Sequence, residues 1–205
     1  MMSIVAVKDI VGATLLQGEA EGEVTGVSTD TRALRAGELF IALRGEKFDG
    51  HDFLSEAFRK GAAAAIVSAS PKEPVEGCLL LVKDTLPAMG TLAAHWRRKF
   101  DLPVVAVTGS VGKTTTKEMI ASILAQTGEV LKTPENYNNE IGVPLTVFNL
   151  TSNHKAAVFE LAMRGRGQIR YLAEIISPHV GVITNIGISH LELLSGPEAI
   201  AEAKA

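Results

Sequence analysis

Residues Val104 to Thr116, VVAVTGSVGKTTT, constrain the fold of this chain more than any other stretch. Five apolar or β-branched residues run into a loop punctuated by Gly109 and Gly112, and a helical pattern follows with Met119, Ile120, Ile123 and Leu124 as its apolar stripe. The sequence predicts a buried parallel strand, a glycine loop and a helix. Such a loop cradles phosphate. Its backbone N–H groups at the helix start point at an anion, Lys113 adds positive charge, and the Thr114 hydroxyl is placed to ligate Mg²⁺.

The spacing is unusual. Only Ser110 and Val111 separate the two glycines, where the general pattern has four residues, and Val107 stands at the usual first-glycine position. A bare strand-to-helix turn would also use glycines here. It would leave Lys113 unexplained at a helix start, where the helix dipole disfavours a cation.

At 205 residues the chain suits one large domain or two small ones. A net charge of −3 gives no bulk electrostatic footprint for nucleic acid. The run Arg97-Arg98-Lys99 ends a predicted helix and reads as a solvated cap that suits the dipole. Cys78 is the only cysteine, which excludes an internal disulfide and a multi-cysteine metal site. No apolar run approaches the ~20 residues that span a membrane, and the N-terminus lacks a signal-peptide layout, so the expectation is a cytoplasmic protein without membrane insertion.

Before the glycine loop, the predicted order is a strand at 24–28, the polar cluster Ser28-Thr29-Asp30-Thr31-Arg32, a strand at 39–43 and a polar loop from Arg44 to His51. That loop carries Gly45, Asp49, Gly50 and His51, and both turn chemistry and ligand holding are open for it. A helix at 52–60, strands at 62–67 and 78–82 and a helix at 84–100 follow. Asp101-Leu102-Pro103 breaks the pattern, so the domains are expected at 1–100 and 101–205. Beyond the loop, Asn136-Tyr137-Asn138-Asn139-Glu140 suits irregular structure, as a turn or a ligand loop. The strand from Ala156 ends near Glu160, and His190 lies just past a strand ending at Thr184. Carboxyl ends of strands line the ligand crevice of an open α/β sheet, where an oxygen ligand can reach Mg²⁺. A helix from Glu198 stops with the chain at Ala205, and a truncated or partial protein is expected.

Thr108 to Thr116 resembles the nucleotide loop of the Mur ligases and folylpolyglutamate synthases, which carries this shortened spacing. The stretches Asn136 to Pro144, Glu160 to Gly167 and Thr184 to His190 are similar to the Mur ligases that join D-alanyl-D-alanine to UDP-N-acetylmuramoyl-tripeptide, and Ser28 to Arg32 with Gly45 to His51 resembles their N-terminal uridine-nucleotide domain. Val111 replaces a common asparagine and Ala162 a common glycine, and neither change removes a ligand or a charge.

The resemblance implies a small α/β uridine-nucleotide domain followed by a mostly parallel α/β phosphate-loop domain, with a third domain absent. ATP would be held by Gly109, Ser110, Val111, Gly112, Lys113, Thr114 and Thr115. Magnesium would be held by Thr114, Glu160, His190 and a carbamylated Lys204, with Lys113, His190 and Lys204 as the catalytic set. The UDP-linked substrate and the incoming dipeptide would meet Ser28, Thr29, Asp30, Thr31, Arg32, Gly45, Asp49, Gly50, His51, Asn138 and Asn139. The resemblance further implies an acyl phosphate intermediate, a monomer, and little or no turnover by these 205 residues alone. A member adding a single amino acid is the rival within the family. Outside it, the rival is a phosphate-loop switch that ligates nothing.

Overall fold

The computed structural model describes residues 2–46 and 48–187, and its packing divides the chain into two compact units, Met1–Leu92 and Ala93–Ala205. The first unit opens with β1 (Met2–Ser3) and α1 (Ile4–Val11), then β2 (Thr14–Gln17), β3 (Glu23–Val24), β4 (Val27–Ser28) and β5 (Leu39–Ile41). A 3-10 turn at Gly50–Phe53, α2 (Leu54–Arg59), β6 (Ala64–Val67) and β7 (Leu79–Leu81) follow. The Ser3 hydroxyl caps α1 by accepting from the Ala6 N–H at 3.2 Å, and Gly12 ends the helix in the left-handed conformation.

Five strands form one sheet in the order β2-β7-β6-β5-β4, parallel except for the antiparallel edge strand β2. Leu39, Phe40, Ile41, Ala64 to Val67 and Leu79 are wholly buried, as strands covered on both faces require. The stretch predicted as one strand at 24–28 is two: β3 pairs with β1, and β4 joins the main sheet.

Helix α3 (Thr85–Arg97) carries the division between the units, upstream of the expected break at Asp101-Leu102-Pro103, because Ala93, Trp96 and Phe100 pack into the second unit's core. Arg97 differs from its reading as a solvated cap. It is 5% exposed and donates to the carbonyls of Ile176 (2.9 Å), Phe100 (2.6 Å) and Leu102 (3.3 Å). Arg98 and Lys99 are exposed, and the Lys99 ammonium lies 5.0 Å from the Trp96 ring centre.

The second unit continues with β8 (Val104–Thr108), α4 (Lys113–Leu124), β9 (Val130–Lys132), α5 (Gly142–Phe148), β10 (Ala156–Glu160), α6 (Gln168–Ile176) and β11 (Val180–Ile183). Its sheet is wholly parallel in the order β11-β8-β10-β9. Side chains alternate across it: Val107 and Val158 face α4, while Val104, Ala106, Ala157 and Phe159 face α5 and α6. The helix after β8 and the helix after β10 therefore lie on opposite faces, which opens a crevice between the carboxyl ends of these neighbouring strands.

The buried stripe of α4 is Lys117, Ile120, Ala121 and Leu124, spaced for one helical face. Met119 and Ile123, predicted to belong to it, are 61% and 69% exposed. The register is turned by Lys117, which takes a core position that a lysine does not advertise.

Candidate functional site

The glycine loop follows β8 directly and opens α4, so its backbone is at the crevice by construction. Gly109 has φ +144° and Gly112 φ +83°, and a Cβ on Gly109 would lie 2.0 Å from Thr184 Oγ1. No side chain fits at Gly109 with the loop in this shape. Lys113 is the first residue of α4, and its Nζ donates to the Gly109 carbonyl at 2.9 Å.

The chain after β11 grips the loop from outside. Asn185 Oδ1 accepts from the N–H groups of Ser110 (3.1 Å) and Val111 (2.9 Å), and Thr184 Oγ1 donates to the Val111 carbonyl at 2.6 Å. Ser110 Oγ and the Gly187 backbone N–H lie 3.0 Å apart.

Glu160, the last residue of β10, is 6% exposed, and each carboxylate oxygen has a partner. Thr114 Oγ1 donates to Oε2 at 2.8 Å and Asn138 Nδ2 donates to Oε1 at 2.9 Å. The Glu160 N–H donates to Thr133 Oγ1 at 3.0 Å. A buried carboxylate next to a hydroxyl is a hard oxygen donor set, and it fits a magnesium ion that keeps waters and phosphate oxygens as its other ligands. Thr115 is exposed at the start of α4. Asn139 instead holds the turn that leads into α5: its Oδ1 accepts from Ile141 N–H at 3.1 Å and Gly142 N–H at 2.9 Å. Gln168 fastens the neighbouring loops, donating to Glu140 Oε1 at 2.5 Å and accepting from the Gly165 N–H at 3.0 Å. His190 and Lys204 lie outside the described residues.

In the first unit, Thr29, Asp30, Thr31, Arg32 and Gly50 line a cavity of about 570 Å³, together with Phe40, Leu43, Phe48, Phe53 and Glu56. Arg32 forms a bidentate pair with Asp30 (2.9 and 2.6 Å), and that guanidinium holds the Asp30 carboxyl below its ordinary range. Ser28 is buried under the turn, its Oγ accepting from the Asp30 N–H at 3.2 Å. Asp49, His51 and Ser68 have the composition of a hydrolytic triad, but His51 Nε2 accepts from the Ser68 backbone N–H at 2.9 Å while Nδ1 meets Asp49 Oδ1 at 2.5 Å. Both ring nitrogens are committed to holding the loop, so the ring has no free base. Gly45 accompanies them structurally: its N–H donates to the Phe48 carbonyl at 2.9 Å. Burial raises the Asp49 carboxyl, but hydrogen bonds from the His51 backbone and ring, with the charge of Arg44, outweigh it and hold it below its ordinary range.

Sequence reasoning missed Lys117, the role of Thr133 and the aromatic lining of the cavity, and read Thr184 and Asn185 only as polar residues at a strand end.

The glycine loop with its strand-end carboxylate and the cavity of the first unit lie in two stretches that family models match. Residues 23–97 match the model described as "Mur ligase family, catalytic domain", and residues 107–205 match "Mur ligase middle domain". The chain belongs to the Mur ligase family. Among curated relatives, the UDP-N-acetylmuramoyl-tripeptide–D-alanyl-D-alanine ligase of Synechocystis is 53% identical over 88% of this chain and 40% of its own length. Among solved structures, MurF from Acinetobacter baumannii aligns with a TM-score of 0.92 at 37% identity, over 99% of this chain and 45% of that one. MurF ligase from Thermotoga maritima in complex with ADP aligns at 0.81 and 38% identity, over 87% and 42%. The chain thus spans less than half the length of these relatives. Among the described residues, no helix is long and apolar enough to cross a membrane.

Proposed function

We propose that this chain supplies the uridine-nucleotide unit and the ATP-binding unit of a MurF-type ligase, a monomeric cytoplasmic enzyme that joins D-alanyl-D-alanine to UDP-N-acetylmuramoyl-tripeptide. The observation that carries the reading is the contact between Thr114 and buried Glu160 across the crevice between β8 and β10, beside the glycine loop. In this reading, Gly109 to Thr115 hold the ATP phosphates, and Thr114 and Glu160 hold magnesium, with His190 and a carbamylated Lys204 added on the strength of sequence resemblance. The bound ion would supply neutralisation of charge on the transferring phosphoryl group.

The chain's own residues do the positioning on which phosphoryl transfer depends. Lys113 turns its ammonium from the Gly109 carbonyl to the phosphates. Asn138, by holding Glu160 Oε1, keeps Oε2 facing Thr114. The cavity beside Arg32 takes the UDP end of the substrate, its aromatic side chains offering apolar faces and Arg32 the positive charge and the N–H groups outside its fork with Asp30. The γ-phosphoryl of ATP passes to the tripeptide carboxylate as ADP leaves, the neutral dipeptide amine attacks the acyl carbon, and the amide forms as the nitrogen gives up a proton and phosphate departs.

A phosphate-release assay on a protein extended to the relatives' length tests this. Release should require both the UDP-linked tripeptide and D-alanyl-D-alanine. Release with a single amino acid in place of the dipeptide identifies the rival ligase, and release without either acceptor identifies a nucleotide switch.

A further inference from the structure

Lys117 is a lysine buried in the second unit. It is 1% exposed, in the middle of α4, where an apolar side chain would complete the stripe of Ile120, Ala121 and Leu124. Burying an ammonium carries a large desolvation penalty that its partners must offset. Its partners connect it to Glu160.

Lys117 Nζ donates to the Thr133 carbonyl at 2.7 Å and pairs with Glu118 Oε1 at 3.0 Å, while the other Glu118 oxygen takes Lys132 at the end of β9. Thr133 is itself 1% exposed. Its N–H donates to the Val158 carbonyl at 3.1 Å, and its hydroxyl accepts from the Glu160 N–H at 3.0 Å. The chain leaving Thr133 forms the loop that brings Asn138 to Glu160 Oε1. The strand-end carboxylate is therefore held from both sides by connections that start on α4: Thr114 touches it directly, and Lys117, one turn later, holds the residue and the loop behind it.

We propose that Lys117 is a positioning residue: through Thr133 it sets Glu160 at the distance from Thr114 that a shared magnesium ion requires. An apolar residue at 117 would keep the packing and release Thr133, and the carboxylate would then lose its fixed register with the phosphate loop. This rests on the reading of Thr114 and Glu160 as magnesium ligands.

The test is calorimetric titration of ADP into the chain, once with Mg²⁺ and once with EDTA. For the unaltered chain, Mg²⁺ should tighten ADP binding; if it does not, the reading of the site fails and the inference falls with it. Where Mg²⁺ does tighten binding, Lys117→Met should lose about 10–100-fold of the Mg²⁺-dependent gain, the range typical of groups that orient metal ligands, with little change in EDTA. Thr133→Val removes only the hydroxyl and should copy that loss, while Thr133→Ser restores the acceptor and should recover the gain. Equal weakening with and without Mg²⁺, or identical behaviour of the Val and Ser variants, overturns the proposal. Should Lys117→Met not fold, the Thr133 pair decides alone.

Discussion

Thr114 Oγ1 donates a 2.8 Å hydrogen bond to Glu160 Oε2, joining the first turn of α4 to the last residue of β10. Glu160→Gln keeps the shape and removes the charge. Its affinity for ADP in Mg²⁺ should fall about tenfold or more, as expected for loss of an ionised oxygen ligand. Affinity in EDTA should be nearly unchanged, and calorimetry with both buffers measures the difference.

Gly109→Ala places a Cβ 2.0 Å from Thr184 Oγ1 at a φ of +144°. Strain of about 1–3 kcal/mol should lower the midpoint of thermal unfolding by several degrees and weaken ADP binding. Gly165→Ala, whose Cβ would meet nothing within 4 Å, should leave the melting curve in place.

Arg97→Leu leaves the carbonyls of Ile176, Phe100 and Leu102 without their donor. Each buried acceptor left unpaired carries a desolvation cost, so a loss of about 2–4 kcal/mol is expected in urea unfolding of the second unit. Arg98→Leu, at an exposed position, should change little.

Arg32→Ala removes the cavity's guanidinium. Affinity for UDP should drop about tenfold, since a hydrogen bond to a charged group contributes about 1.5–3 kcal/mol. ADP binding at the glycine loop should be unaffected, which separates the two sites in one titration series.

Acid sensitivity follows from the carboxyls held below their ordinary range. Arg32 lowers Asp30, and the hydrogen bonds from Lys132 and then Lys117 lower Glu118. Groups depressed in the folded state stabilise it fully above their ordinary pKa, and that stability is lost as pH falls through the lowered folded values. The urea midpoint should thus be flat from neutrality to about pH 5 and decline below about pH 4. Asp30→Asn should flatten the decline, and a urea series across pH reads it out.

The strand, loop and helix from Val104 to Leu124 were legible because their signals are local: an apolar run, two glycines and a helical period. Glu160 was legible for a related reason, since a carboxylate at a strand end has a place in the topology wherever its strand lies. Strand β2 was not legible. Thr14, Leu15 and Leu16 are all exposed, so no alternation marks them, and their partner is β7, far along the chain. Arg97 read as a solvent-facing charge and Lys117 drew no reading, because the carbonyls that make their burial tolerable come from Ile176 and Thr133. His51 and Asn139 were legible as polar loop residues, but their hydrogen bonds to backbone fix the loops themselves.

On the proposed reading of the glycine loop, the grip of Asn185 makes phosphate binding an exchange. Ser110 and Val111 already give their N–H groups to its carboxamide oxygen, so an anion arriving there replaces bonds and does not simply add them. A neutral oxygen would gain almost nothing by the trade, whereas an ionised phosphate oxygen accepts bonds roughly twice as strong. Asn185 thereby keeps the loop in shape and sets a threshold of charge that a ligand must exceed to take it over.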